Sequence, residues 1–229
     1  MVSLHLALWI SLLIPVFGMN EEPASDSAGP DELPVTLTVR LNRNVYQESN
    51  FGEPPQIAVW VEKEDAMRTV WVSRRTATGY WEGKVECPTS LPIWVSRYVR
   101  RTGNPAPGVL NPLPDALTGA TPVRNLTIRT RLPRGSSWTL FLELNISGDY
   151  NASFPPRLEG GLPDPDGNGQ PSLIYAVPFR VVPDFRAEPV LTGRSDQLDP
   201  VSRPIPDLSG ITSARHILKS CVLTVGSSR

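Results

Sequence analysis

Histidine and cysteine are scarce in this chain, which has 229 residues and two of each. His5 lies in an apolar run at the N-terminus, so His216 is the histidine that would remain after removal of a leader. A zinc site built from several histidines is therefore excluded, and a nucleophile–histidine pair would have to use His216. The sequence contains no G-x-S-x-G motif for it to serve, and we interpret His216 as a residue near a helix end.

Lysine is rare too, since arginine supplies nineteen of the 22 cations. The formal net charge of −1 hides a basic stretch, residues 68–134, with eleven basic and three acidic residues. Arginine favours planar, bidentate contacts with carboxylate and phosphate, so this stretch is a candidate site for an acidic ligand or glycan. The alternative is that these arginines lie on wet strand faces and pair with acidic segments of this chain or of a second copy.

The single long apolar run, residues 4–17, is shorter than the about 20 residues that a membrane span needs. Its length suits a secretory signal, with small residues at Val16 and Gly18 for cleavage, although no basic residue precedes it. We predict a signal peptide over 1–18 and a disordered polar leader over 19–33, and no stable membrane span after cleavage. Retention as an anchor or a buried N-terminal strand are the alternatives. The expected location is periplasmic or extracellular, where nucleic acid is not an expected partner.

Twenty-five prolines and 17 glycines argue against long helices and for short strands joined by irregular loops. Apolar alternation predicts a single all-β domain over 34–229, an immunoglobulin-like antiparallel β-sandwich with long Pro-rich loops. The predicted strands are 35–41, 56–63, 67–74, 125–131, 137–146, 172–182 and 221–225, with hairpins at 64–66 and 132–136. Pro178 predicts an edge or a bulge, and Ser209 is expected to cap one short C-terminal helix over 211–218.

Two tryptophans, Trp60 and Trp71, lie on the two strands of the first predicted hairpin. We expect them to pack against each other across the strands rather than to form a ligand platform. An exposed face shared by Trp71, Trp81 and Trp94 would instead favour carbohydrate binding.

Several segments resemble a bacterial family of periplasmic proteins known as domain of unknown function 2271. They are AVWVE at 58–62, TVWV at 69–72 and DALTGATP at 115–122, with LELNISGDYNASFP at 142–155 and GQPSLIYAVPF at 169–179. An acidic or glycine turn usually follows the first motif in the family, and here that turn is Lys63-Glu64-Asp65-Ala66, without the glycine. The resemblance implies a secreted β-sandwich and carries no activity.

The stretch DPDGNG at 164–169 follows the start of a calcium loop. Asp164, Asp166 and Asn168 occupy its first, third and fifth positions and Gly169 its sixth, but Tyr175 stands where a bidentate acid is needed. An EF-hand is thereby excluded. A looser calcium site, with Asp149 or a backbone carbonyl as a further ligand, and a simple polar turn remain as alternatives.

Two more pairs of residues bear on function. Cys87 and Cys221 could pair in an oxidising compartment, or remain as separate thiols. Glu62 and Glu64 are two residues apart at a strand end and could serve as the paired carboxylates of a hydrolase, although such pairs are usually solvated.

The expected function is that of a noncatalytic binding or structural module without a cofactor. A calcium-stabilised carbohydrate-binding or adhesion domain is the alternative, followed by the hydrolase.

Overall fold

Strands in which apolar and polar residues alternate form the framework of this protein. The structure, a computed structural model, describes residues 31–64, 66–84, 86–114, 118–158, 160–198 and 201–227. The signal peptide and nearly all of the polar leader lie outside these ranges. The strands are β1 Glu32–Leu41, β2 Gln56–Lys63, β3 Ala66–Ser73, β4 Thr118–Gly119, β5 Asn125–Pro133, β6 Ser137–Asn145, β7 Leu173–Arg180, β8 Arg186–Ala187, β9 Val190–Arg194 and β10 Leu218–Val225. The helices are α1 Arg43–Gln47, α2 Arg74–Thr78 and α3 Pro92–Thr102, and a 3-10 helix covers Ser213–His216.

The strands form two sheets, which confirms the prediction of a β-rich chain. The four-stranded sheet has the order β5-β1-β10-β8, and the six-stranded sheet has the order β4-β3-β2-β6-β7-β9. All pairings are antiparallel except that of β3 with β4. The main apolar core joins residues of both sheets, so their inner faces pack against each other.

Strand β1 shows how the sequence sets this arrangement. Val35, Leu37 and Val39 are at most 2% exposed and belong to the main core, whereas Thr36 and Thr38 point the other way. The predicted strand is confirmed and begins earlier than expected, at Glu32, because Leu33 extends the buried stripe. The two-residue period of the strand therefore fixes which face is dry.

A second core covers the outer face of the six-stranded sheet. Helix α3 lays Ile93 and Trp94 on this face, where the rings of Trp60 and Phe141 stack at 5.2 Å. Pro92 occupies the first turn of α3 and Gly103 ends it in a left-handed conformation, both typical helix boundaries. The sequence did not predict this helix.

Three local predictions were wrong. Strands β5 and β6 do not form a hairpin, because β5 pairs with β1 and β6 pairs with β2 and β7, so residues 134–136 cross between the sheets. The segment 183–209, in which no strand was predicted, contains β8 and β9. The C-terminal helix is a single 3-10 turn whose N-cap is Thr212 rather than Ser209, and β10 begins already at Leu218.

The first hairpin is confirmed, with Lys63 opposite Ala66, but its tryptophans do not meet as expected. A β-bulge after Val59 places Trp71 opposite Val59 and Trp60 opposite Thr69. Trp60 joins the core under α3, whereas Trp71 packs against the main core. The bulge turns the two indoles to different faces of the sheet.

Pro178 lies at a gap in the pairing of β7, as its sequence context predicted. Strand β9 pairs with β7 only from Leu173 to Ala176, with a bulge after Ile174. Pro178 pairs with Thr139 on the other side and faces no partner in β9. Its missing N–H therefore costs no ladder hydrogen bond.

Candidate functional site

The outer face of the four-stranded sheet is a regular array of arginine and hydroxyl side chains. Its most complete row runs across all four strands through Arg129, Thr36, Thr224 and Arg186, each directly opposite the next. Neighbouring strands lie about 4.8 Å apart, so the backbones of the two arginines are about 14 Å apart. The row therefore carries a cation at each end and two hydroxyls between them.

Two further rows continue the array along the strands. The second row is Thr127, Thr38 and Val222, and the third is Asn125, Arg40 and Ser220. Residues two apart on a strand are about 6.7 Å apart, so the rows form a flat grid. We call these three rows, with Arg131 beside them, the basic face.

Three cations of the basic face have no ion-pair partner in the part of the chain that the structure describes. Arg40, Arg129 and Arg186 are exposed, and none of their guanidinium groups takes part in an ion pair or hydrogen bond with the described residues. Of the outward residues described on these four strands, only Glu32, at the start of β1, is acidic. Its backbone carbonyl accepts a hydrogen bond from Arg131 at 3.0 Å. The described residues of the face thus carry a net positive charge, which suits an extended anion.

The basic stretch 68–134 does not act as one unit. Arg129 and Arg131 lie on the basic face, but Arg75 pairs with Glu53 at 3.2 Å and Arg97 with Glu62 at 3.0 Å. Internal pairing, the alternative raised from the sequence, therefore holds for part of the stretch. Arg40 and Arg186 complete the basic face from outside the stretch, and composition gave no signal for them.

The loop of Asp164, Asp166 and Asn168 is held by its own hydrogen bonds. Asp164 accepts one from the backbone N–H of Asp166 and one from that of Gly169, both at 3.1 Å. The Thr89 hydroxyl donates to Asp166 at 2.7 Å and accepts from the Asn168 amide at 2.7 Å. Both oxygens of Asp164 are used in an Asx-type turn, whereas the buried Oδ1 of Asn168 has no hydrogen-bond partner among the described residues.

Backbone conformation and a close contact both require glycine at position 169 of this loop. Its φ is +69°, and a Cβ would lie 2.6 Å from the backbone nitrogen of Asp149. Asp149 in turn accepts hydrogen bonds from Gln170 and Ser213 at 2.6 and 2.7 Å. Among the described parts of the chain, no cluster of three or more acidic, histidine or cysteine residues could hold a metal. Calcium binding by the loop at 164–169 stays a prediction.

His216 does not line the groove that the two glutamates considered for catalysis share. His216 is exposed at the end of the 3-10 helix. Glu62 accepts from the Trp60 indole at 2.8 Å and pairs with Arg97, whereas Glu64 occupies the hairpin turn with φ of 50°. Both glutamates border an open groove of about 590 Å³ that also contains Trp138. The structure uses Glu62 as an ion-pair partner, and the hydrolase hypothesis would need that pair to open.

A carboxylate that the sequence did not single out, Glu143, is completely buried beneath α3. It accepts hydrogen bonds from the backbone N–H groups of Ile93 and Trp94 at 3.3 and 2.6 Å, and from the Ser172 hydroxyl at 2.6 Å. Burial raises its pKa to about 7 despite these bonds. Because the group has no route to solvent, we assign it to holding the helix.

The cysteines are free thiols in separate surroundings. Cys221 belongs to the main core, and Cys87 lies 3.7 Å from the carbonyl oxygen of Gly167. Burial raises the pKa of Cys87 to about 11 and that of Cys221 to about 12. The bridge left open by the sequence is not formed in the structure.

The tryptophans proposed as an exposed carbohydrate platform do not form one. Trp94 is fully buried, Trp81 is 6% exposed, and Trp71 packs against the main core beside Gly119.

No family model, curated protein or solved structure matches this chain. The basic face is therefore interpreted from its own chemistry. Within the described ranges, no helix is long and apolar enough to cross a membrane.

Proposed function

We propose that this chain is an exported, noncatalytic module that binds an acidic polysaccharide through the basic face. The row Arg129, Thr36, Thr224 and Arg186 is the observation on which the proposal rests. Guanidinium groups form paired hydrogen bonds with carboxylate or sulfate, and threonine hydroxyls can exchange hydrogen bonds with sugar hydroxyls. A flat grid suits an extended polymer better than a small ligand.

The composition of the face favours a polysaccharide over the other acidic partners. Val222 is the apolar residue within the three rows, and it is half-buried, so the face offers no large side chain for insertion into a lipid layer. Nucleic acid is disfavoured by the proposed export. The proposed location, periplasmic or extracellular, is also where acidic polysaccharides are accessible.

We also propose that the fold is an immunoglobulin-like sandwich. Two packed sheets with mainly antiparallel pairing support an immunoglobulin-like sandwich, and the resemblance to domain of unknown function 2271 supports a secreted member of that family. Export by cleavage after Gly18 rests on the apolar run at 4–17.

The proposal is tested by titrating the chain with polygalacturonate, using dextran as a neutral polymer. We expect saturable, salt-sensitive binding of polygalacturonate alone, and at least a tenfold loss of affinity in an Arg129→Ala, Arg186→Ala double variant. A matched control is Arg100→Ala with Arg203→Ala, which removes the same charge from other parts of the surface.

Three outcomes would overturn the proposal: no binding of polygalacturonate, equal loss in the control, or tighter binding to DNA or to vesicles of phosphatidylglycerol than to the polysaccharide. The last result would assign the face to a nucleic acid or to a membrane. Thermal unfolding of every variant checks that the sheets remain intact.

A further inference from the structure

A cavity of about 300 Å³ lies where the chain passes from the six-stranded to the four-stranded sheet. Strand β4, at the edge of the six-stranded sheet, ends at Gly119. Strand β5 of the four-stranded sheet begins at Asn125, the first residue of the third row of the basic face. Val123, two residues before Asn125, lines the cavity. The cavity is thus at the end of the basic face. Its wall consists of Glu53, Pro54, Arg74, Arg75, Glu82, Ala120, Thr121 and Val123.

One side of the cavity is a fixed chain of charges. Arg75 pairs with Glu53 at 3.2 Å and approaches Glu82 at 3.9 Å, while Lys84 lies 2.8 Å from Glu53. Burial raises the pKa of Glu53, but hydrogen bonds from Lys84 and Arg75 outweigh it and bring the pKa below its usual value. These charges are therefore committed to one another, and the Arg75 side chain, 13% exposed, is held in place.

The neighbouring arginine is not committed. Arg74 lines the cavity and is exposed, and its guanidinium forms no ion pair or hydrogen bond with the part of the chain that the structure describes. The cluster of Arg74, Arg75 and Lys84 against Glu53 and Glu82 leaves one positive charge over. The Thr121 hydroxyl and the apolar Pro54, Ala120 and Val123 complete the wall.

We propose that this cavity binds a single sugar acid, with its carboxylate on Arg74 and its ring against the Pro54 and Val123 side chains. The volume is at the lower end for small-molecule sites, which suits one monosaccharide. One unneutralised guanidinium matches one carboxylate. The identity of the acid as a sugar rests on the proposed function, because the cavity would then hold a residue of the polysaccharide that lies on the basic face.

The experiment titrates the full chain with glucuronate, glucose, acetate and inorganic phosphate, followed by calorimetry or by NMR shifts. We expect saturable binding of glucuronate and at least tenfold weaker binding of the other three. Arg74→Gln should weaken glucuronate binding at least tenfold. Arg100→Ala with Arg203→Ala, which removes two exposed cations outside the cavity and the basic face, should leave it unchanged.

The two proposals fail in different ways. Absence of saturable glucuronate binding, or binding that Arg74→Gln does not change, overturns the assignment of the cavity even when the basic face binds polygalacturonate. Equal binding of acetate and glucuronate overturns the sugar as ligand, and equal binding of phosphate overturns the carboxylate. Retained glucuronate binding in a chain that fails to bind polygalacturonate overturns the function of the basic face alone. Thermal unfolding of Arg74→Gln confirms that a loss of binding is not a loss of fold.

Discussion

The carboxylate of Glu143 on β6 caps helix α3, with one oxygen 2.6 Å from the backbone nitrogen of Trp94. The residue before the helix, Leu91, provides no side-chain cap of its own. The sheet therefore supplies the acceptor that the first turn of a helix needs, and the helix dipole favours a negative group there. This contact couples the second core to the six-stranded sheet.

Replacement of Glu143 by glutamine should change how stability depends on pH. Burial raises the Glu143 pKa from 4.5 to about 7, so the folded chain binds a proton that the unfolded chain releases between these values. The contribution of this group is thus full below pH 4.5 and is lost as the pH rises through 7. Urea unfolding at pH 5 and pH 8 should show that the unaltered chain loses about 3 kcal/mol more than Glu143→Gln between the two.

Comparing the unaltered chain with Glu143→Gln removes the contribution of other carboxyl groups to the pH dependence of stability. Asp149, whose pKa is raised by burial, and Glu53, whose pKa is lowered, titrate alike in both. Glu188→Gln, at an exposed position, should retain the pH dependence of the unaltered chain. Parallel pH curves for the unaltered chain and Glu143→Gln would show that burial does not hold the proton.

Glu143 also shows why part of the site was not predictable from the sequence. Leu140, Leu142 and Leu144 lie on the core face, as two-residue spacing in the predicted strand 137–146 requires, and the same spacing puts Glu143 on the opposite, nominally wet face. That face is dry because α3 covers it. Strand periodicity assigns residues to one of two faces and contains no information about a distant helix.

The basic face was predictable only in part for a similar reason. The sequence identified an arginine-rich stretch, and Arg129 on β5 belongs to the face. Its grid depends on register, because Arg129 lies opposite Thr36 only in this pairing of β5 with β1, and Arg186 lies opposite Thr224 only because β8 joins the sheet. The residues that turn the chain between β5 and β6, with Gly135 at φ +77°, suit a hairpin as well as a crossing, so local turn chemistry did not separate the two topologies.

Arg97 should be important for the stability of α3. Its guanidinium lies 3.0 Å from Glu62 and 4.5 Å from the ring centre of Phe141. Arg97→Ala removes the cation–π contact and leaves a largely buried glutamate without its partner, which should lower the free energy of unfolding by about 2 to 3 kcal/mol. Arg97→Lys should lose less, because it keeps the charge without the planar stacking.

Urea unfolding of these variants is compared with Arg100→Ala, an exposed position on the same helix. That control should change the free energy of unfolding by no more than about 0.5 kcal/mol. If Arg97→Ala costs no more than Arg100→Ala, the Glu62 pair contributes nothing measurable.

The two thiols should be unreactive in the folded chain. Burial raises the pKa of Cys87 to about 11 and that of Cys221 to about 12, so little thiolate is present at pH 8. Alkylation by iodoacetamide should be about a hundredfold slower than in urea, as followed by mass spectrometry. Dithiothreitol should leave the melting temperature unchanged, and a drop would show that a disulfide forms after all.

Asp164 should stabilise its loop whether or not calcium is present. Asp164→Ala removes both acceptors for the N–H groups of Asp166 and Gly169, at an expected cost of about 2 kcal/mol. Asp166→Asn keeps an oxygen for the Thr89 hydroxyl and should cost less than about 1 kcal/mol. Melting temperatures in calcium and in chelator should agree for the unaltered chain, because both oxygens of Asp164 already accept hydrogen bonds from N–H groups. A lower melting temperature in chelator, abolished by both substitutions, would instead establish the calcium loop and make its aspartates ligands.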